Sequence, residues 1–253
     1  MGSLARVGGA FHQPDLLAIW LVCGWIIGFG LWPQAKKQRW GMAATQTLLL
    51  VVIVLSQSRM ALLLLIVISL VIAVRQLRGR LRTMAVLLTI GVTGLVGSSA
   101  YLIAPHNRVI DSGYSTQSIQ YRLTLQSYGV HAVSYQPIVG YGPANIQTGI
   151  SCLIIHDPAL IRTCQQGYYF ESSHNIFLDR FIGLGLLGGS AYIIAVGGLL
   201  YIGKRQIGIA RYVWYAALAI CVYYLTNITS VSIELLLWVL LCRFGGSYED
   251  NEA

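Results

Sequence analysis

The chain has 253 residues, of which 56% are hydrophobic and only 10% charged. Soluble domains carry roughly 25% charge, so the composition excludes an ordinary water-soluble enzyme and describes an integral membrane protein. The formal charge of +8 suggests nucleic acid, but the placement of the basic residues argues against that partner. They sit in short clusters between apolar runs: Lys36, Lys37 and Arg39; Arg75, Arg78, Arg80 and Arg82; Lys204, Arg205 and Arg211. Short Lys/Arg-rich loops mark the cytoplasmic side, where anionic membrane lipids are their neighbours.

Taken in order, the apolar runs predict an all-α membrane domain of about seven spans, near 16–33, 41–57, 60–76, 83–104, 175–203, 212–227 and 231–243, with one large extracytoplasmic loop, 105–173, carrying short helices. The first run follows Pro14 and Asp15, with Asp15 as a candidate N-cap. Its basic flank lies at its C-terminal end, so it runs inward and leaves Met1 outside. An N-terminal set of spans preceding this chain would account for that. The second and third spans are separated only by Ser56-Gln57-Ser58-Arg59. A single long helix would strand Arg59 at mid-membrane, at ~2.5–3.5 kcal/mol, so two short spans with Arg59 at the outer turn are expected. Snorkelling at the interface is the plainer role for this arginine.

The loop 105–173 has no run able to span. Asp157-Pro158 has the form of a helix start. Ile119, Tyr121, Leu123 and Leu125 alternate as in a strand, whereas Leu125, Tyr128 and Ala132 have helical spacing. The helical reading, an amphipathic helix on the membrane, is preferred. Cys152 and Cys164 share this loop, and an oxidising compartment would permit a bridge between them; two free thiols are the alternative. Cys23, Cys221 and Cys242 lie in apolar runs and read as small buried hydrophobes. Gly140-Tyr141-Gly142 reads as a turn and not as a nucleotide loop.

Arg6, Arg59, Arg108, Arg122, Arg162 and Arg180 are the basic residues outside the cytoplasmic stretches. Solvated loop charges suffice for Arg108 and Arg162. Arg59 and Arg122 adjoin spans or a surface helix, and a guanidinium holds phosphate through two hydrogen bonds without losing its charge. His174 stands where the polar loop enters the apolar run beginning at Ile176. An imidazole with an ordinary pKa near 6.5 can take a proton from a hydroxyl, although a histidine at a span entrance is more often a plain interfacial residue. Asp179 and Arg180 lie either near the interface or inside the bundle. No metal-ligand pattern is visible: HExxH and DxD are absent and the histidines are scattered.

Four stretches resemble the O-antigen ligase / Wzy-type polymerase superfamily of bacterial membrane glycosyltransferases, in its C-terminal portion. They are Arg6 to Ala18 (RVGGAFHQPDLLA), Ser56-Gln57-Ser58-Arg59, Arg122 through Pro137-Ile-Val-Gly140-Tyr141-Gly142, and Ser173-His174-Asn175-Ile176-Phe177-Leu178 followed by Gly183, Gly185 and Gly188. Their order and spacing cover nearly the whole chain. The resemblance implies a metal-independent, cofactor-free, inverting transfer from a polyprenyl-pyrophosphate-linked glycan donor to a glycan, lipid or protein acceptor. The reaction would occur on the extracytoplasmic face of the bacterial inner membrane. It implies that Arg59 and Arg122 serve the donor pyrophosphate and that His174 activates the acceptor. Asn175 and Tyr141, inside the same motifs, become expected substrate contacts. One departure is that Leu-Thr-Leu-Gln follows Arg122, where the family often has a Trp. Ligase and polymerase chemistry use the same donor and stay unresolved. A transporter or a non-catalytic assembly subunit are the readings from other classes, and the scarcity of charge within the apolar runs disfavours transport.

Overall fold

A computed structural model describes residues 13–32, 38–76, 112–143, 145–154, 172–228 and 230–245. Among these there are eight helices and no strand: α1 (Pro14–Leu31), α2 (Arg39–Ser56), α3 (Arg59–Gln76), α4 (Ser112–Tyr135), α5 (Ile146–Ile154), α6 (Ile176–Gly203), α7 (Ile209–Tyr223) and α8 (Val231–Gly245). Three, α1, α2 and α6, are long and apolar enough to cross a membrane. The expected span 83–104, the helix start at Asp157-Pro158 and the pairing of Cys152 with Cys164 lie outside the described residues. The chain divides into two units, 1–111 with 202–223 and 232–253, and 112–201 with 224–231.

The first unit is built on α1. Ala18, Ile19, Val22 and Ile26 of α1 are fully buried, as are Ala216, Ala217, Ala219 and Ile220 of α7. Small residues bring two helices close in a setting where lipid is as apolar as any side chain. The Cys23 thiol donates to the Ala216 carbonyl across this seam at 3.7 Å. By contrast, α2 and α3 turn Leu48, Val51, Leu55, Leu63 and Val67 outward, a surface that lipid tolerates and water does not.

Two boundaries differ from the sequence reading. Helix α1 begins at Pro14, one residue before Asp15, and Gln13 holds the cap position without a side-chain cap bond. Proline lacks the N–H that a first-turn residue leaves unpaired anyway, so it starts the helix and puts Asp15 in the first turn beside the positive end of the helix dipole. Helix α7 ends at Tyr223, and residues 224–227, expected to complete the sixth span, form a turn. The break between α2 and α3 falls where expected. Gln57 takes φ 54°, the Ser56 hydroxyl donates to the Ile53 carbonyl at 2.6 Å and accepts from the Ser58 amide at 3.3 Å, and Arg59 opens α3 exposed to its surroundings.

In the second unit α4, α5 and the start of α6 share one apolar core of Leu125, Ala132, Ile150 and Ile182. Tyr128, Val133, Tyr141, Ile146 and Leu178 pack around it. Leu125, Tyr128 and Ala132 follow the helical spacing, and Leu123, which alternation would have buried, is exposed.

Helix α6 is not the single straight span the apolar run suggested. Gly185 has φ 66° and ψ −171°, which reverses the chain between residues 176–184 and 186–203. The rings of Phe177 and Tyr192 lie 6.3 Å apart, although fifteen residues of straight helix would separate them by about 22 Å. The Arg180 guanidinium sits over the Tyr192 ring at 5.1 Å, and the Phe181 ring lies against Gly189. The two limbs therefore fold back on each other as a hairpin. The longer limb, about 27 Å at 1.5 Å per residue, is enough to span by itself. The shorter limb supplies Leu178 and Ile182 to the core of the second unit.

The peptide groups freed by the reversal are taken up by the segment 137–142. The Tyr141 amide donates to the Ile182 carbonyl at 2.9 Å, the Gly142 amide to the Gly183 carbonyl at 2.8 Å, and the Leu186 amide to the Pro137 carbonyl at 2.6 Å. Non-helical backbone survives at such a place only when protein satisfies it. Gly140, at φ 66°, lies so close that a side chain there would meet the backbone of Ile182, Gly183 and Gly185. The two glycine motifs noted in the sequence are thus the two halves of one joint.

Candidate functional site

The site forms where α4, the approach to α6 and the turn after α7 meet inside the second unit. Arg122 and Gln126 stand one helical turn apart on α4 and face the same way. Arg122 Nη1 donates to the Thr226 carbonyl at 2.8 Å and to Asn227 Oδ1 at 3.5 Å. Gln126 Nε2 donates to the Leu225 carbonyl at 3.3 Å, and the Ile176 amide to the Tyr224 carbonyl at 3.1 Å. Three successive carbonyls of the 224–226 turn, none of them in a helix, therefore find partners on α4 and α6. Asn227 is itself buried, and its Nδ2 donates to Thr226 Oγ1 at 3.1 Å.

His174 is fixed by its backbone. Its φ of 59° is left-handed, a conformation costing a non-glycine residue about 1–3 kcal/mol unless the surroundings impose it. Here they do. The His174 amide donates to Ser172 Oγ at 3.0 Å, and the Ser172 hydroxyl donates onward to Asp179 Oδ2 at 2.6 Å. The other oxygen of the same carboxylate accepts the Ser173 amide at 2.8 Å. Asn175 then starts α6, its Oδ1 accepting the amides of Phe177 and Leu178 at 3.1 and 3.2 Å, the usual N-cap service of an asparagine.

Burial pushes the His174 imidazole down from its ordinary 6.5 to about 4, and the neighbouring Arg122 charge adds to the effect. At neutral pH the ring is uncharged and able to accept a proton, beside a cation that cannot be titrated away. That is an arrangement for activating a hydroxyl next to an anionic group.

The residues named from the sequence are distributed as follows. Arg122, His174 and Asn175 come together in the second unit. Tyr141 lies in the joint at the other end of the short limb, about 12 Å along it from His174, packed against Gly149 and Ile182. Arg59 belongs to the first unit. No group of three or more His, Cys, Asp or Glu able to hold a metal occurs among the described residues. The sequence reading missed Thr226 and Asn227, and it left Asp179 without a role. The signals were present: a polar pair between two apolar runs, and a Ser-Ser dipeptide with an aspartate on the first turn of the next helix.

A search of curated proteins and a search of solved structures return no match. The O-antigen ligase family model (Wzy_C) matches residues 44–193, more than half of the chain, and that stretch includes Arg59, Arg122, Tyr141, His174 and Asn175. Family match, helical fold and apolar spans agree, and the chain belongs to the O-antigen ligase (Wzy_C) family of membrane glycan ligases and polymerases.

Proposed function

We propose that the protein is a glycosyltransferase of the inner membrane that moves a glycan from a polyprenyl-pyrophosphate carrier to an acceptor hydroxyl on the extracytoplasmic face. The observation that carries this reading is the pairing of Arg122 with a neutral His174, in a chain of the O-antigen ligase family. His174 takes the proton of the acceptor hydroxyl as its oxygen bonds to the anomeric carbon. The bond from that carbon to the carrier oxygen breaks, and its electron pair leaves with the pyrophosphate, inverting the anomeric centre. Arg122 offsets the charge gathering on that leaving group. Arrival of the anionic donor also opposes the Arg122 field at His174 and raises the basicity of the ring when it is needed. Arg59 keeps the donor role that the resemblance implies, and Asn175 and Tyr141 the substrate contacts. The scheme calls for no metal or cofactor.

The test is a transfer assay on the purified protein in lipid nanodiscs. The donor is a labelled polyprenyl-pyrophosphate glycan, and each reaction receives either a lipid-linked core sugar or a second glycan as acceptor. Product is expected from wild type and not from His174→Ala or Arg122→Ala, and Arg59→Ala is expected to raise the donor KM. Wild-type rates in both the His174 and Arg122 variants would sink the assignment. The acceptor that yields product separates ligase from polymerase. The polymerase reading rests on the same donor chemistry and on the breadth of the family.

A further inference from the structure

We propose that Asp179 is a positioning residue for His174, acting through Ser172, and that this one carboxylate holds the base of the reaction in its working conformation. The inference rests on the transfer reading, because it assumes His174 is the base.

The geometry is a relay of three hydrogen bonds. Asp179 is buried, at 3% exposure, on the first turn of α6. Its amide donates to the Asn175 carbonyl at 2.9 Å, so the carboxylate is anchored to the helix that follows the histidine. Oδ2 accepts the only hydroxyl proton of Ser172 at 2.6 Å, which turns a lone pair of that oxygen towards the His174 amide at 3.0 Å. Oδ1 accepts the Ser173 amide at 2.8 Å, and the Ser173 hydroxyl donates to the Asn175 carbonyl at 3.2 Å. The amides of Ser173 and His174 are thereby both tied to Asp179, the second through Ser172.

This is not ordinary helix capping. Asn175 already fills the cap, its Oδ1 taking the amides of Phe177 and Leu178. The carboxylate reaches past the cap, to the residues on either side of the strained histidine peptide. The turn holds φ 59° at His174 without a glycine, so something outside the residue must impose the angle. The Asp179–Ser172 relay is placed to do so. A base whose backbone relaxes to an ordinary angle moves its ring away from the acceptor, and a displacement of about 1 Å can cost a hundredfold in rate.

The experiment compares Ser172→Ala, Ser172→Thr and Asp179→Ala with wild type and His174→Ala in the transfer assay. Ser172→Ala removes only the acceptor of the His174 amide, so it tests the relay even if Asp179→Ala fails to fold. It is expected to lower kcat at least tenfold with the donor KM within about twofold of wild type, while Ser172→Thr, which keeps the hydroxyl, recovers most of the rate. Selectively labelled histidine is expected to show the His174 backbone carbon shifts leaving their left-handed values in Ser172→Ala. A wild-type kcat in Ser172→Ala and Asp179→Ala, with His174→Ala inactive, overturns the inference and leaves the transfer reading standing. An active His174→Ala overturns the base assignment, and this inference with it.

Discussion

Arg122 donates its Nη1 hydrogen bond to the Thr226 carbonyl at 2.8 Å and from that anchorage depresses the pKa of His174. The arginine therefore has two functions: it ties α4 to the turn after α7, and it sets the charge state of the imidazole. Replacing Arg122 with Gln should raise the His174 pKa from about 4. It should stop short of 6.5, because burial is the larger cause and stays in place. Titration of labelled histidine by NMR reads the shift directly. A pKa unchanged in Arg122→Gln would show that the two groups are not coupled.

The same depression fixes a pH dependence of stability. The folded state holds the imidazole below its unfolded pKa, so between pH 6.5 and 4 the unfolded chain binds the proton more readily than the folded one. Stability attributable to this group is complete above pH 6.5 and falls as the pH drops towards 4. His174→Gln should flatten that part of the profile. Unfolding midpoints at pH 7.5, 6, 5 and 4.5, measured for both proteins, check the difference.

Ile182 distinguishes the hairpin from a straight span. In a straight span it would face lipid or a neighbouring helix, and truncation would cost little. Here it is fully buried in the core with Leu125 and Ile150. Ile182→Ala is expected to destabilise the second unit by about 2–5 kcal/mol, seen as a lower denaturation midpoint. Leu187→Ala, at an exposed position on the long limb, should change the midpoint little.

Gly185→Ala should be among the most damaging substitutions in the chain. The residue sits at φ 66°, where any side chain is strained by roughly 1–2 kcal/mol, and a Cβ would fall on the carbonyl of Ile138. The expected outcome is loss of the 137–142 contact together with loss of transfer. Protease access to residues 136–143 in intact vesicles reads the first, and the transfer assay the second.

Much of the fold was legible because apolar runs and basic clusters report on lipid directly. The runs that became α1, α2 and α3 were placed to within about two residues, which is the usual uncertainty of helix ends, and the turn at Ser56-Gln57-Ser58-Arg59 followed from the cost of an arginine in lipid. The hairpin in α6 was hidden for the same reason. Ile176 to Leu184 is apolar because it packs on α4 and α5, and composition cannot tell a protein neighbour from a lipid one. The glycines at 140, 142, 183 and 185 were noticed as motifs, but their mutual contact is a long-range backbone pairing that no local spacing encodes. His174 and Arg122 were found through their chemistry and their resemblance to a family. Asn227 and Thr226 were not, because their part is to hold the arginine, and a residue that acts only on another leaves little trace in composition.

The reversal at Gly185 also bears on how the protein is made. Ile176 to Gly203 leaves the ribosome as one unbroken apolar stretch, and an insertion machinery that weighs hydrophobicity alone reads it as a single span. Residues 176–184 reach their place only after α4, α5 and the 137–142 segment are present to receive them. Those partners precede α6 in the chain, so the receiving surface is synthesised first. The order of elements along the sequence thus works as an assembly schedule, in which the histidine is set beside its arginine by a late step taken outside the insertion machinery.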